Sequence, residues 1–204
     1  AIQVMLDPAD CGPATISISQ DVQGEVYDYP EVFFEEKIHE IRRIHPDPNQ
    51  VKVAAEKIKN SKQPIIISGG GVLYSEAEKQ LSAFAKKHNI PVTSTVMGIG
   101  CMTHDDPYYI SAIGCLGEGS SNSLSKDTDL AIAVGTKLAD FTTGSWTNFQ
   151  NPEFSLVSIN TARFDTTKHR ATPVISDAKV GLSQLSAELG DWKAPQNWYE
   201  RAVE

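Results

Sequence analysis

The most constraining feature of the sequence is an apolar run that leads directly into three glycines. Pro64-Ile65-Ile66-Ile67-Ser68 is followed by Gly69-Gly70-Gly71, and Ile90-Pro91-Val92-Thr93-Ser94 forms a second run after a stretch of helical spacing. This order predicts a strand, a glycine turn, a helix and a parallel strand, because parallel strands need a crossover connection. Sheets of this kind bind ligands where such turns leave the strand ends.

Six apolar runs between Ile65 and Ser176 predict the strands of one sheet. Leu130 to Val134 is apolar throughout, as expected of a strand that is covered on both faces. The other later runs are Tyr109 to Ile113, Phe154 to Ile159 and Pro173 to Ser176. With helices between several of these runs, the fold class is α/β, a doubly wound, Rossmann-like six-stranded parallel sheet with helices on both faces.

Caps and apolar spacing predict three helices. Asp47 and Gln50 fit a capping box before the first, Ser75 and Glu78 fit one before the second, and Asp177 is a cap for the third. The predicted buried positions are Val51, Ala54, Ala55 and Ile58 in the first helix, Ala77, Leu81, Phe84 and Ala85 in the second, and Leu182, Leu185 and Leu189 in the third.

The flanks of this pattern differ from its centre. Ala14 to Ser19 alternates like a strand but has no partner before it, so we expect it to be the last strand of a preceding domain in a longer protein. Residues 29–47 are rich in aromatics, prolines and charge, which predicts a linker in which Phe33-Phe34 packs onto a neighbouring surface. Residues 191–204 are predicted to be a second linker, and 48–190 the central domain.

Charge and cysteine content narrow the function classes. The formal net charge of −8, with no basic stripe, argues against nucleic acid as a partner, since phosphate contacts need clustered Lys and Arg. No apolar run has the length of a membrane span, so no membrane partner is expected. Cys11, Cys101 and Cys115 form no CxxC pair, which favours a reducing, cytoplasmic setting without structural disulfides.

The glycine turn is an incomplete dinucleotide fingerprint. Gly69 and Gly71 fit the first two positions of GxGxxG, but Tyr74 stands at the third, and the following strand ends in Ser94-Thr95 rather than in an acid. NAD is therefore not expected, and glycines needed for a tight turn are the favoured interpretation. An anion held by backbone N–H groups at this helix start stays open as an alternative.

Two further glycine-rich stretches follow later strands. Gly114 to Asn122 could equally well line a nucleotide groove or have a purely structural role. The stretch from Gly135-Thr136 to Trp146 is interpreted either as a ligand loop or as a surface loop that packs Trp146 and Phe149 onto a partner. The candidate crevice residues are Gly69, Gly70, Gly71, Gly117, Asn122, Gly135 and Thr136.

The sequence contains no recognisable catalytic or metal-binding constellation. One segment has residue types that can bind a metal, namely Cys101 and His104-Asp105-Asp106. Their spacing matches no known ligand pattern, so a solvated loop is the favoured interpretation. P-loop, GxSxG and HExxH motifs are also missing. We expect no catalytic residue and no metal ligand in this chain.

Several segments together resemble the central domain of thiamine-diphosphate enzymes, a superfamily that includes acetolactate synthase, pyruvate oxidase and benzoylformate decarboxylase. They are GPATISISQDVQGE, QPIIISGGGVLYSEA, IPVTSTVMG, GCLGEGSSN, DLAIAVGTKLADFTTGSW and VSINTARFDTTKH. The resemblance implies that residues 1–28 are the tail of a preceding pyrimidine-binding domain, and that 191–204 lead to a diphosphate-binding domain. It also implies that the flanking domains of the parent chain are partners and that the parent is a homo-oligomer.

Within this superfamily the chain most resembles the hydrolases that open a cyclic trihydroxy-dione in inositol breakdown. The specific segments are Tyr27-Asp28-Tyr29-Pro30, Phe33-Phe34, His39 to Arg43, Asp140 to Trp146, Ser158 to Asn160, and Phe164-Asp165. One departure is that Ile99 follows Gly98 where the family tends to have lysine, so that lysine's role does not carry over.

The resemblance places the chemistry outside this chain. The parent would use thiamine diphosphate and Mg²⁺, but the activating glutamate and the Gly-Asp-Gly motif belong to the flanking domains, so this fragment alone is expected to be inactive. FAD is not expected, and the crevice is interpreted as vestigial. Two alternatives stay open: the central domain of an acetolactate-synthase-like transferase with FAD at Gly69–Gly71 and Gly117–Asn122, and a stand-alone nucleotide-binding module.

Overall fold

The computed structural model describes residues 1–204, which divide into two compact units, Ala1–Arg42 and Arg43–Glu204. The first unit contains helix α1 (Ile2–Met5) and single 3₁₀ turns at Val22–Gly24 and Glu31–Phe33. In it the Phe33 and Phe34 rings lie 5.3 Å apart and both are exposed.

The prediction of a strand at Ala14 to Ser19 is wrong for this structure. The segment has no regular secondary structure, and Ile16 and Ile18 are exposed. The physical reason is that a strand is stable only when a neighbouring strand satisfies its backbone N–H and C=O groups, and no strand of the described chain pairs with this segment.

The second unit is built on a six-stranded sheet in which every pair is parallel. The strands are β1 (Pro64–Ser68), β2 (Val92–Ser94), β3 (Tyr109–Ala112), β4 (Leu130–Val134), β5 (Ser155–Asn160) and β6 (Thr172–Ile175). Their order is β3-β2-β1-β4-β5-β6. All six predicted strands are confirmed, and the direction of winding reverses between β1 and β4, which makes this pair the topological switch point.

Helices cover both faces of the sheet. They are α2 (Pro48–Lys59), α3 (Gly70–Tyr74), α4 (Glu78–His88), α5 (Gly119–Asp127), α6 (Asp140–Thr143), α7 (Arg163–Thr166), α8 (Ala178–Leu189) and α9 (Gln196–Val203), with 3₁₀ turns at Val96–Gly98 and Lys168–Arg170. Residues of α2, α4 and α8 form one core with Ile66, whereas Ile65 and Ile67 point to a second core that includes residues of α5 and α9. This alternation confirms the doubly wound fold.

The predicted helix stripes are buried as expected, but two predicted capping boxes do not form. Asp47 caps α2 by accepting the Asn49 N–H over 2.7 Å, yet the Gln50 side chain instead accepts the Ile175 N–H over 3.0 Å. Ser75 does not cap α4. The glycine turn starts the separate short helix α3, which ends at Tyr74 with Ser75 as its C-cap, and the Ser75 hydroxyl accepts the Ala178 N–H over 3.3 Å.

The C-terminal segment is ordered differently from the prediction. Residues 191–204 are predicted to be a linker, but they contain α9, in which Trp198 is 3 % exposed. The indole N–H of Trp198 donates to the Pro64 carbonyl over 2.8 Å, at the start of β1. The helix is therefore part of the second unit. None of the helices has the length and the apolar character needed to cross a membrane.

Candidate functional site

The turns after β1 and β4 meet at the carboxyl edge of the sheet, at the switch point. The Gly69 N–H donates to the Val134 carbonyl over 2.8 Å, and the Gly71 N–H donates to the Gly135 carbonyl over 2.9 Å. Four of the seven candidate crevice residues, Gly69, Gly71, Gly135 and Thr136, are thus brought together by these two turns.

Backbone packing fills the space between these turns. A Cβ added to Gly71 would lie 2.6 Å from Gly135 Cα, and one added to Gly135 would lie 2.7 Å from Gly71 Cα, both closer than real Cβ contacts. Gly135 also has a φ of +61°, in the left-handed region that favours glycine. The glycines are therefore required for the close approach of two chain segments.

Three amide groups of this crevice donate to carbonyls of the protein. The N–H groups of Gly69 and Gly71 donate to carbonyls of the β4 end, and the Gly135 N–H donates to the Ile159 carbonyl over 2.9 Å. Gly70 faces the turn after β2, because a Cβ added to Gly70 would lie 3.1 Å from the Met97 carbonyl oxygen. An anion cradle needs free N–H groups that point at one spot, and these groups point at protein carbonyls instead.

Gly117 and Asn122 belong to the turn after β3, where Asn122 acts as a clamp. Its Oδ1 accepts the Gly114 N–H and its Nδ2 donates to the Gly114 carbonyl, each over 2.9 Å. The Asn148 amide donates to the same Oδ1 over 3.1 Å. Gly117 donates its N–H to the Gly114 carbonyl over 2.9 Å. All of these groups hold the turn itself.

The connection between β4 and β5 joins the two glycine turns. It begins at Gly135, against the β1 turn, and reaches the β3 turn where the Phe141 carbonyl accepts the Cys115 N–H over 2.8 Å. Phe149, near its end, lies in the core with its ring 4.7 Å from that of Phe154. The interpretation in which this loop packs Phe149 onto a partner is therefore wrong, because the ring is buried within the unit.

The same connection, which the sequence leaves open as a ligand loop or a surface loop, lines a cavity of about 380 Å³. Its walls are Lys137, Leu138, Ala139, Asp140, Trp146, Lys168 and His169. Leu138, Trp146 and His169 have positive φ, and the Trp146 and His169 rings lie 4.4 Å apart. Burial, together with the charge of Lys168, lowers the pKa of His169. The position of Lys137 to Trp146 after a strand end is a signal in the sequence, whereas Lys168 and His169 come from the next connection and carry no such signal.

The residues of the segment from Cys101 to Asp106 that could bind a metal lie in different environments. Cys101 is buried, with its Sγ 3.4 Å from the Gly69 carbonyl oxygen, and desolvation raises its pKa to about 11. Asp106 accepts a hydrogen bond from the Ser82 hydroxyl over 2.7 Å, while His104 is exposed. No three His, Cys, Asp or Glu side chains of the chain lie close enough together to hold a metal ion.

The residues present do not fit a bound thiamine diphosphate with its Mg²⁺. Mg²⁺ prefers several oxygen ligands in octahedral geometry, and the described chain offers no cluster of carboxylates. A diphosphate needs free donors, and the amides of Gly69, Gly71 and Gly135 donate within the protein. We therefore derive no chemical step through this group from the residues of this chain.

Comparison with known proteins identifies the family. Residues 51–185 match the model of the thiamine pyrophosphate enzyme central domain. The chain is 45 % identical over 189 residues to a 3D-(3,5/4)-trihydroxycyclohexane-1,2-dione hydrolase of Clostridium tetani (strain Massachusetts / E88), which covers 93 % of this chain and 29 % of that protein. Proteins of the same name from Clostridium perfringens (strain 13 / Type A) and Geobacillus thermodenitrificans (strain NG80-2) are 43 % and 41 % identical, over 93 % and 94 % of this chain.

The matched region is a limited part of these relatives. The chain spans about 30 % of the length of the curated proteins that it matches. The family match covers most of the second unit, from within α2 to within α8, and thus includes the whole parallel sheet. The chain belongs to the thiamine pyrophosphate enzyme central-domain family.

Proposed function

We propose that this chain is the non-catalytic central domain of a hydrolase that opens 3D-(3,5/4)-trihydroxycyclohexane-1,2-dione to 5-deoxyglucuronate in inositol catabolism. The observation that supports the proposal is the 45 % identity over 189 residues to a protein of that name. Identity of this extent, over 93 % of the chain, includes the connections after β4 and β5 as well as the sheet.

In this proposal the chemistry belongs to the parent enzyme. Thiamine diphosphate supplies an electron sink for the cleavage of a carbon–carbon bond, and Mg²⁺ holds its diphosphate. Both would be bound by the domains that flank this one. The residues of this chain supply a rigid sheet and the turns at its carboxyl edge.

We further propose that the glycine crevice is structural, and that neither FAD nor another nucleotide occupies it. The closed contact of Gly71 with Gly135 and the engaged amides of the β1 and β4 turns support this interpretation. Flavin absorbance in the purified full-length enzyme would instead support an acetolactate-synthase-like transferase.

An activity assay of the full-length polypeptide tests the proposed reaction. The enzyme is supplied with thiamine diphosphate and Mg²⁺ and offered the cyclic dione and, in a separate reaction, pyruvate. We expect ring opening of the dione without added FAD, loss of this activity when thiamine diphosphate is omitted, and no turnover of pyruvate. Turnover of pyruvate with an unreacted dione would contradict the proposal.

A cytoplasmic location and a homo-oligomeric parent are parts of the same proposal. The cysteines support the location, since Cys11, Cys101 and Cys115 are all free and two of them are exposed, as is usual in a reducing compartment. Light scattering of the purified full-length polypeptide tests the oligomeric state, and a monomer would contradict that part.

A further inference from the structure

The exposed apolar side chains of the second unit are concentrated at one edge of the sheet. Ten large hydrophobic residues between Arg43 and Glu204 are exposed, and only Val53 and Val203 lie away from this edge. The other eight follow the carboxyl ends of β1, β2, β3, β4 and β5; they are Tyr74, Val96, Met97, Ile99, Leu116, Phe141, Trp146 and Phe164. We call these eight residues the apolar edge.

Contacts between successive turns make part of this edge continuous. The Cβ position of Gly70 lies 3.5 Å from Met97 Cβ and 3.7 Å from Tyr74 Cε2, so one glycine separates these two side chains. Tyr74 is 85 % exposed and Met97 is 67 % exposed. Two residues from different turns therefore present adjoining apolar surface.

The turns after β3 and β4 are joined by a backbone hydrogen bond beside two further residues of the apolar edge. Leu116 directly follows Cys115, whose N–H donates to the Phe141 carbonyl over 2.8 Å. Leu116 is 70 % exposed and Phe141 is 68 % exposed. Apolar residues scattered singly over a surface are normal, but side chains gathered at one edge indicate an interaction surface.

The opposite edge of the sheet has a different character. Near the amino ends of β1, β4 and β5, Asp129 accepts the N–H groups of Lys62 and Gln63, and Arg201 pairs with Asp127. Helices cover both faces of the sheet. The carboxyl edge is thus the part of the second unit that carries an uncovered apolar surface.

We propose that the apolar edge is the surface on which the remainder of a full-length enzyme packs, that is, polypeptide beyond residues 1–204. This inference rests on the proposed function in one respect, namely that the chain is a domain of a longer enzyme. The relatives support this occupant, since about 70 % of the length of each lies outside the match and must contact the central domain somewhere. Apolar contact of this kind is stabilised in proportion to the area removed from water.

Site-directed photo-crosslinking in the full-length polypeptide tests the proposal. Cys11→Ser and Cys115→Ser remove the two exposed thiols, while buried Cys101 is retained. Met97→Cys and Phe141→Cys then each introduce one thiol at the apolar edge, and Val53→Cys, at a position 54 % exposed on α2, is the matched control. The rate at which each thiol reacts with a benzophenone maleimide is measured first. The labelled protein is then irradiated, digested and analysed by mass spectrometry.

We expect positions 97 and 141 to react about tenfold more slowly than position 53, because a packed surface must open before it can be labelled. After irradiation, both should crosslink to peptides outside residues 1–204. Equal labelling rates at the three positions, or crosslinks confined to residues 1–204, would overturn the proposal. The second result would assign the apolar edge to residues 1–204 themselves, in the same chain or in another copy. If Met97→Cys fails to fold, Ile99→Cys replaces it.

The same samples separate this inference from the proposed reaction. Ring opening of the dione with freely labelled positions 97 and 141 would overturn the docking surface and leave the function standing. Protected, crosslinked positions in an enzyme that does not turn over the dione would support the docking surface and overturn the function.

Discussion

The N–H of Gly71 donates to the carbonyl oxygen of Gly135 over 2.9 Å, so that the turns after β1 and β4 are joined at the switch point of the sheet. In doubly wound proteins this position is where ligands bind. Here the two glycines are in backbone contact, because a Cβ added to Gly71 would lie 2.6 Å from Gly135 Cα. Their function is to hold the carboxyl ends of neighbouring strands together.

Substitution of Gly71 by alanine tests this role. The added Cβ would lie 2.6 Å from Gly135 Cα, and a clash with backbone forces both turns apart. We expect Gly71→Ala to lower the free energy of unfolding by about 1–3 kcal/mol in urea denaturation. Gly119→Ala is the matched control, since nothing lies within 4 Å of its Cβ position. Equal stability of the two variants would show that the turns are not closely packed.

The Asn122 clamp gives a second prediction. Asn122→Ala removes two hydrogen bonds to Gly114 and leaves the Asn148 amide without its acceptor. Because partly buried polar groups then lose their partners, we expect the free energy of unfolding to fall by about 1–3 kcal/mol. Ser123→Ala, at an exposed position of the same helix, should change it by less than about 0.5 kcal/mol. An Asn122→Ala chain as stable as Ser123→Ala would contradict the clamp.

Much of the fold was predictable because local signals agree with long-range packing. The apolar run Leu130 to Val134 is long enough for one strand, and its uniform character matches a strand buried on both faces. Where the sequence analysis was wrong, a distant partner had decided the outcome. Ser75 and Gln50 look like helix caps locally, but their side chains accept hydrogen bonds from Ala178 and Ile175.

The C-terminal helix illustrates the same limit. α9 is short and begins after Pro195 without a side-chain cap, so its pattern alone is weak. Its stability comes from the burial of Trp198 and the hydrogen bond to Pro64, more than 130 residues earlier in the chain. The sequence could not show that Gly71 and Gly135, which lie more than 60 residues apart in the chain, contact each other, because this contact depends on the order of the strands in the sheet.

His88 predicts a dependence of stability on pH. It is fully buried, and its Nδ1–H donates to the Trp192 carbonyl over 2.8 Å while Nε2 lies 2.9 Å from the Ser186 hydroxyl. Desolvation lowers the pKa of His88 below the ordinary value of about 6.5 for histidine, and the charges of Lys87 and Lys193 act in the same direction. The unfolded chain therefore binds this proton more readily, and stability is lost as the pH falls below about 6.5.

Urea midpoints measured from pH 7 to pH 5 test this dependence. We expect the midpoint of the unmodified chain to fall more steeply with decreasing pH than that of His88→Gln, which cannot be protonated. His104→Gln, at an exposed histidine, should keep the steeper slope. A His88→Gln chain with the same slope as the unmodified chain would refute the assignment.

The three cysteines should differ in reactivity. Desolvation raises the pKa of Cys101 to about 11, and its side chain is 1 % exposed, whereas Cys11 and Cys115 are exposed. Because the thiolate is the reactive species, a disulfide reagent at pH 8 should titrate two thiols in the native chain and three in denaturant. Rapid reaction of three thiols under native conditions would mean that the contact between Cys101 and Gly69 does not persist.

The central claim, that this chain is a scaffold without a cofactor or nucleotide site, is tested most directly by ligand binding. Residues 1–204 are titrated by calorimetry with thiamine diphosphate and Mg²⁺, and their thermal unfolding is followed with ADP, FAD and NAD. The account predicts no saturable heat and no shift in Tm with any of these ligands, while the full-length enzyme binds thiamine diphosphate. Saturable binding to residues 1–204, or a Tm that rises with nucleotide concentration, would contradict it.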